Sequence, residues 1–166
     1  VADGKIYARG MDGFAADIDA AASAVEVGVD PRASRRLEEL RAMRIAADAA
    51  VRFAERHAEL ADVMAAEEPD ATRRAELERI AAVCRRVPAH APRDFWEAVQ
   101  MYWFCHLAVI TELNGWDAYS PGHLDQHLEP FYQRGIADGT LTREEAKELL
   151  GCLFVKFNNH PAPPKV

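Results

Sequence analysis

Cysteine is scarce, with three residues, Cys84, Cys105 and Cys152, among 166. The number is odd, the spacing is wide, and no CxxC pair or zinc-finger spacing occurs. A disulfide framework and a structural zinc site are therefore not encoded. Such usage points to a reducing compartment, hence the cytoplasm. Basic charge is also short: 20 Lys and Arg stand against 27 Asp and Glu, giving a net charge of -7 and a pI of about 5.4. Phosphate surfaces require clustered positive charge, so nucleic acid and membrane surfaces are excluded as partners. The pairs Arg35-Arg36, Arg73-Arg74 and Arg85-Arg86 read as solvated helix faces. Long hydrophobic runs are missing too. The longest, "MYWFCHLAVI" at 101–110, contains a histidine and is too short to span a bilayer. No signal peptide precedes the first helical pattern. Glycines are scattered, without the GxxxxGK[ST] of a phosphate loop.

What is present is helical pattern. Apolar residues make up 49% and charged residues 28%, the composition of a soluble globular chain. The length suits one domain or a piece of a larger one, and the start at Val1 and the proline-rich "NNHPAPPKV" suggest a piece. Phe14, Ile18 and many alanines predict a first helix over 11–27. Asp30-Pro31 opens a long one, since proline fits a first helical turn. In it Leu40, Met43, Ala47, Val51, Ala54, Ala58 and Ala61 recur at spacings of three and four. Pro69 breaks this helix and Asp70 caps the next. Leu77, Ile80, Ala81, Cys84 and Val87 form that helix's buried stripe, which Pro88 ends. Asp94 is placed to cap a helix apolar on nearly every side from Met101 to Ile110, which predicts burial all round. A further helix covers 124–136 and stops at Gly135 or Gly139. "TREE" at 142–145 reads as a capping box, Thr142 with Glu145. The last helix carries a stripe of Ala146, Leu149, Leu150, Leu153, Phe154 and Phe157, although "CLFVKF" alone also suits a buried strand. The fold class expected is mainly α, in a single helical unit over 1–166.

The chemistry candidates cluster in "NGWDAYSPGHLDQHLEPFY" at 114–132. His123 and His127 stand at i and i+4 on one helix face, while Asp125 points elsewhere. The glutamate of HExxH is missing, and nothing selects a third ligand between His106 and Glu112, so spacing alone does not make a metal site. Ser120 precedes Pro121 and is not in a GxSxG elbow. Cys105 and His106 point about 100° apart on a helix. His106 reads as a hydrogen-bonded core histidine, and all three cysteines as buried structural thiols. The loop is different. Trp116, Asp117, Tyr119 and Ser120 follow a buried helix closely, an arrangement that suits a pocket wall. The turn dipeptides Asn114-Gly115 and Pro121-Gly122 suit an ordinary packed turn equally well.

An ordered set of segments resembles the pyruvate formate-lyase-like part of glycyl radical enzymes. It comprises "ELERIA" at 76–81, "VP" at 87–88, "FWEAVQ" at 95–100, "SPGHLDQHLEPFY" at 120–132 and "LTREEAKELLGCLFVKFN" at 141–158. "LRAMRIAADAAVRFAERHAELA" at 40–61 also fits the family's style. The resemblance implies a helical portion that, in much longer relatives, packs around a ten-stranded α/β barrel. It implies a radical-based lyase, dehydratase, decarboxylase or formate acetyltransferase-like activity on a small organic substrate under anaerobic conditions, absent from this piece alone. The cofactor implied is a glycyl radical near the parent's C-terminus, installed by an activating enzyme using S-adenosylmethionine and an iron–sulfur cluster. Partners implied are the rest of the parent polypeptide, that activating enzyme and a homodimer mate.

Two departures matter. Gly151-Cys152 imitates the family's Gly-Cys motif but lies inside an amphipathic helix, and the glycyl loop is absent, so no catalytic residue is assigned in this chain. His123 stands where relatives carry arginine or lysine. Pro121, Gly122, His123, Asp125 and Gln126 read as a structural motif. The positions after Asn114-Gly115 reach substrate in diol dehydratases of the family. That implies Asp117 on a substrate hydroxyl or amine and Trp116 as an apolar wall. A stand-alone helical interaction or metal-binding module is the alternative reading.

Overall fold

A computed structural model describes residues 4–29, 31–112 and 120–159. Six helices follow in order: α1 Lys5–Ser23, α2 Ala33–Glu67, α3 Ala71–Arg86, α4 Phe95–Glu112, α5 Leu124–Asp138 and α6 Arg143–Asn159. Among the described residues there is no strand, and "CLFVKF" is helical.

The short connection Glu68–Pro69–Asp70 folds α3 back along α2. Asp70 caps α3, its Oδ1 accepting the Arg73 N–H at 2.7 Å. The two helices meet through small residues: Ala54, Ala58, Ala61 and Ala65 are buried on α2, facing Leu77, Ala81 and Cys84 of α3. Methyl-sized side chains let two backbones approach closely. Arg85 pairs with Asp62 across the hairpin, and Arg44 ties α2 to Asp19 of α1. These are exposed pairs that fix register more than they stabilise.

α1 differs from expectation at both ends. It starts six residues early and ends at Ser23, where Val25, Val27, Gly28 and Val29 break it. β-Branched residues and a glycine at φ 101° disfavour helix there. The early start depends on Gly10, which kinks the helix at φ 68°, ψ 177°. The kink turns the next residues onto the segment after α3: Met11 N–H donates to Pro88 O (2.8 Å) and Asp12 N–H to Ala89 O (2.9 Å). α2 starts at Ala33 behind Arg32, which makes no side-chain cap, so Pro31 precedes the helix and Asp30 lies outside the described residues.

The centre of the molecule is α4. Asp94 caps it, accepting the Glu97 N–H at 2.8 Å. Glu97 is 2% exposed, and its carboxylate accepts the Arg93 N–H at 2.6 Å and the Arg93 guanidinium. Met101 to His106 are buried on every side, as the apolar run predicts. From Leu107 to Ile110 burial falls to half. α5 ends at Gly139, in the left-handed conformation of a helix stop. α6 opens on the capping box: Glu145 N–H donates to Thr142 Oγ1 (3.1 Å) and Thr142 N–H to Glu145 Oε2 (2.8 Å).

Candidate functional site

Two anchored helices, α4 and α5, flank the candidate segment in the chain. On one side, α4 is held by its buried face and by His106. That ring accepts or donates at Nδ1 with the Tyr102 hydroxyl (3.1 Å), stacks on Trp103 (centroids 5.3 Å) and meets the edge of Phe157 on α6 (4.9 Å). His106 is thus the hydrogen-bonded core histidine expected from its setting. On the other side, α5 is held by His127, stacked on Tyr7 of α1 at 5.4 Å, by Phe131 beside the same ring, and by Tyr132 against Phe95 of α4.

Between these anchors, Trp116, Asp117 and Tyr119 lie outside the described residues. Ser120 is exposed, and its Oγ accepts the Gly122 N–H at 3.2 Å, a local turn. Gly122 takes φ 63°, a conformation that favours glycine. Pro121 is half-buried, whereas His123, Asp125 and Gln126 are exposed. Asp125 sits in the first turn of α5, where a negative charge suits the helix N-terminus. His123 occupies the N-cap position without a side-chain cap bond, so it precedes the helix that carries His127. The two histidines belong to different surroundings, one in solvent and one against Tyr7. No group of three His, Cys, Asp or Glu able to hold a metal occurs among the described residues.

The thiols divide two to one. Burial pushes the Cys84 thiol up to about 11 and the Cys105 thiol up to about 12, so neither is a nucleophile at neutral pH. Cys152 was expected to be buried and is exposed. It sits beside the face that Leu149, Leu150 and Leu153 turn inward, and Phe154, expected in the same stripe, is 61% exposed. Gly151-Cys152 lies within α6 and is not a loop.

One feature escaped sequence reasoning. A groove of about 540 Å³ runs between α3, the start of α4 and α6, with Arg79 over the Trp96 ring at 4.5 Å and Cys152 at its margin. Its residues come from separate elements, so no spacing rule links them. Three of its four carboxylates are already engaged: Arg73 pairs with Glu76, Asp94 caps α4, and Glu145 closes the capping box, while Glu148 also lines it. Hydrogen bonds from the Thr142 N–H and hydroxyl hold the Glu145 carboxyl below its ordinary value.

Comparison with known proteins matches residues 1–166 to the pyruvate formate lyase-like family. The chain is 50% identical over 161 residues to the trans-4-hydroxy-L-proline dehydratase of Clostridioides difficile, covering 97% of the chain and 20% of that protein. It is 39% identical over 155 residues to the isethionate sulfite-lyase of Oleidesulfovibrio alaskensis, covering 91% of the chain and 18% of the relative. The crystal structure of the C. difficile hydroxyproline dehydratase, with trans-4-hydroxy-L-proline bound, superposes with a TM-score of 0.93 over 97% of the chain and 20% of that structure. The chain spans about a fifth of the length of these relatives.

Proposed function

Because the chain belongs to the pyruvate formate lyase-like family of glycyl radical enzymes, we propose that it is the helical flank of a radical dehydratase acting on trans-4-hydroxy-L-proline or a close hydroxylated amino acid. The carrying observation is the identity of 50% to the hydroxyproline dehydratase against 39% to the isethionate sulfite-lyase, over nearly the same residues. Residues 1–166 are then a partial pyruvate formate-lyase-like domain. The hydrogen-abstracting chemistry belongs to a glycyl radical and a thiyl cysteine elsewhere in the parent, installed with the help of an S-adenosylmethionine-dependent partner. Gly151-Cys152 takes no part in it. No described helix is long and apolar enough to cross a membrane, and we place the parent in the cytoplasm.

In this reading the chain's own task is to hold one loop. α4 and α5, the helices that flank 113–119 in the chain, are each fixed by core contacts and supply the frame for that loop. Asp117 binds the substrate's hydroxyl or amine, and Trp116 shapes the apolar wall, with Tyr119 and Ser120 beside them. Exposed apolar residues support packing within a larger body: Phe154 is 61% exposed and Val155 57%.

The test is anaerobic activation of the full-length parent with its activating enzyme. Loss of trans-4-hydroxy-L-proline should be measured beside sulfite release from isethionate. Turnover of isethionate alone, or of neither compound, would sink the substrate assignment. Asp117→Asn should raise KM for the hydroxylated amino acid by at least roughly tenfold, the scale of one lost charged hydrogen bond.

A further inference from the structure

α2 carries two apolar seams. The buried seam is made of alanines: Ala47, Ala54, Ala58, Ala61 and Ala65. The second lies one residue earlier along the chain, with Phe53, His57, Leu60 and Met64 directly preceding Ala54, Ala58, Ala61 and Ala65. One residue is about 100° of helix, so the second seam borders the first and turns away from α3. Its spacings of four, three and four continue upstream through Ala50 and Ala46 to Met43. That is an a/d repeat held for three heptads, a straight stripe roughly 30 Å long. It faces solvent: Met43 is 56% exposed, Phe53 40%, Leu60 57% and Met64 45%. Val63, 55% exposed, widens it on the outer side.

Resting on the function proposed above, the geometry points to this seam as the docking face for one amphipathic helix of the parent polypeptide outside these residues. The pattern selects a helix, because a 3.5-residue repeat stays in line only against a partner with the same repeat. The lengths select the parent, since relatives run about five times as long as this chain. Continuity agrees. Phe53 and His57 pack against Phe104 of α4 at 6.1 Å, so the stripe joins the helix that carries the substrate loop. The upstream half, with Ala46 and Ala50, lets a partner backbone approach, and the downstream half supplies bulk for its grooves. Arg52, Glu55 and Glu59 lie on the far side in their own ion pairs, which leaves the seam free of their charge.

The test is peptide-resolved maleimide labelling of the full-length parent carrying Leu60→Cys or Met64→Cys, with Glu55→Cys and Glu59→Cys as controls and Cys152→Ser as background. Within the 166 residues alone, position 60 is 57% exposed and the Glu59 side chain 58%, so this structure by itself gives equal rates. The seam thiols are expected to label at least tenfold more slowly than the controls at every protein concentration. Equal rates overturn the proposal. Protection that fades on dilution also overturns it, because a second copy then covers the seam. The labelling needs no radical, so it stands or falls separately from the turnover assay.

Discussion

Replacing Gly10 by alanine should be among the most damaging single-methyl changes in the molecule. Gly10 has φ 68° and ψ 177°, a region open essentially to glycine alone. Placing a Cβ there would bring it to 2.4 Å from Ala89 O and 2.5 Å from His90 C, which are backbone atoms that cannot rotate aside. The conformational strain is about 1–3 kcal/mol. Relief requires α1 to lift from 88–90, which breaks the bonds from Met11 to Pro88 and from Asp12 to Ala89. Each is worth about 0.5–1.5 kcal/mol net. Together these give a loss of about 2–6 kcal/mol in urea unfolding followed by circular dichroism. Gly139→Ala is the matched control. It also has positive φ, 73°, but nothing lies within 4 Å of the added Cβ, so it should cost only about 1 kcal/mol. Gly151→Ala, in open helix, should stabilise by about 0.4–1 kcal/mol. If Gly10→Ala lies within 1 kcal/mol of Gly139→Ala, the close approach of α1 to the 88–90 segment is wrong.

Other outcomes follow from particular groups. Glu97→Ala removes a buried acceptor of the Arg93 N–H and should cost about 2–3 kcal/mol, with Glu97→Gln costing less, by the same unfolding measurement. Glu145 has a folded pKa below its ordinary value of 4.5, so its contribution is present above that value and is lost as pH falls through the lower folded value. The urea midpoint gap between wild type and Glu145→Gln should therefore be wide at pH 6 and close in acid. A gap unchanged with pH would refute the capping-box bond. A thiol reagent should find one reactive cysteine in the native chain and three in denaturant, and Cys152→Ser should abolish the native reaction. Two fast native thiols would contradict the burial of Cys84 and Cys105.

Local chemistry was legible in the sequence. Asp70, Asp94, Gly139 and the Thr142–Glu145 box each act within four residues, and each does what its residue type implies. The run from Met101 to His106 announced its own burial. Distance-dependent features were not legible. Nothing local to Gly10 points to the 88–90 segment that it meets in the fold. Cys152 sits one position from the buried face, where periodicity cannot say which neighbour is missing. The groove at Arg79 and Trp96 joins elements that no pattern connects. For the candidate site, the family was readable because many ordered segments agreed, while Trp116, Asp117 and Tyr119 lie outside the described residues. Ser120 emerged as a turn residue.

α2 shows why a helix this long carries two kinds of seam. Burying a methyl group is worth about 0.8 kcal/mol, against about 1.5–3 kcal/mol for a whole Leu, Met or Phe side chain. The alanine seam therefore sets a close and well-defined distance between α2 and α3 but contributes modestly to holding α2 in place. The exposed ion pairs Arg35–Glu39 and Arg44–Asp48 add a few tenths of a kcal/mol each. Met43, Phe53, Leu60 and Met64 are each 40–57% exposed, so the larger apolar side chains of α2 are the ones still in water. A helix arranged this way is positioned by one face and stabilised by the other. Its full stability, and with it the rigidity of the α4 frame that Phe53 touches, should be reached only when the second seam is covered.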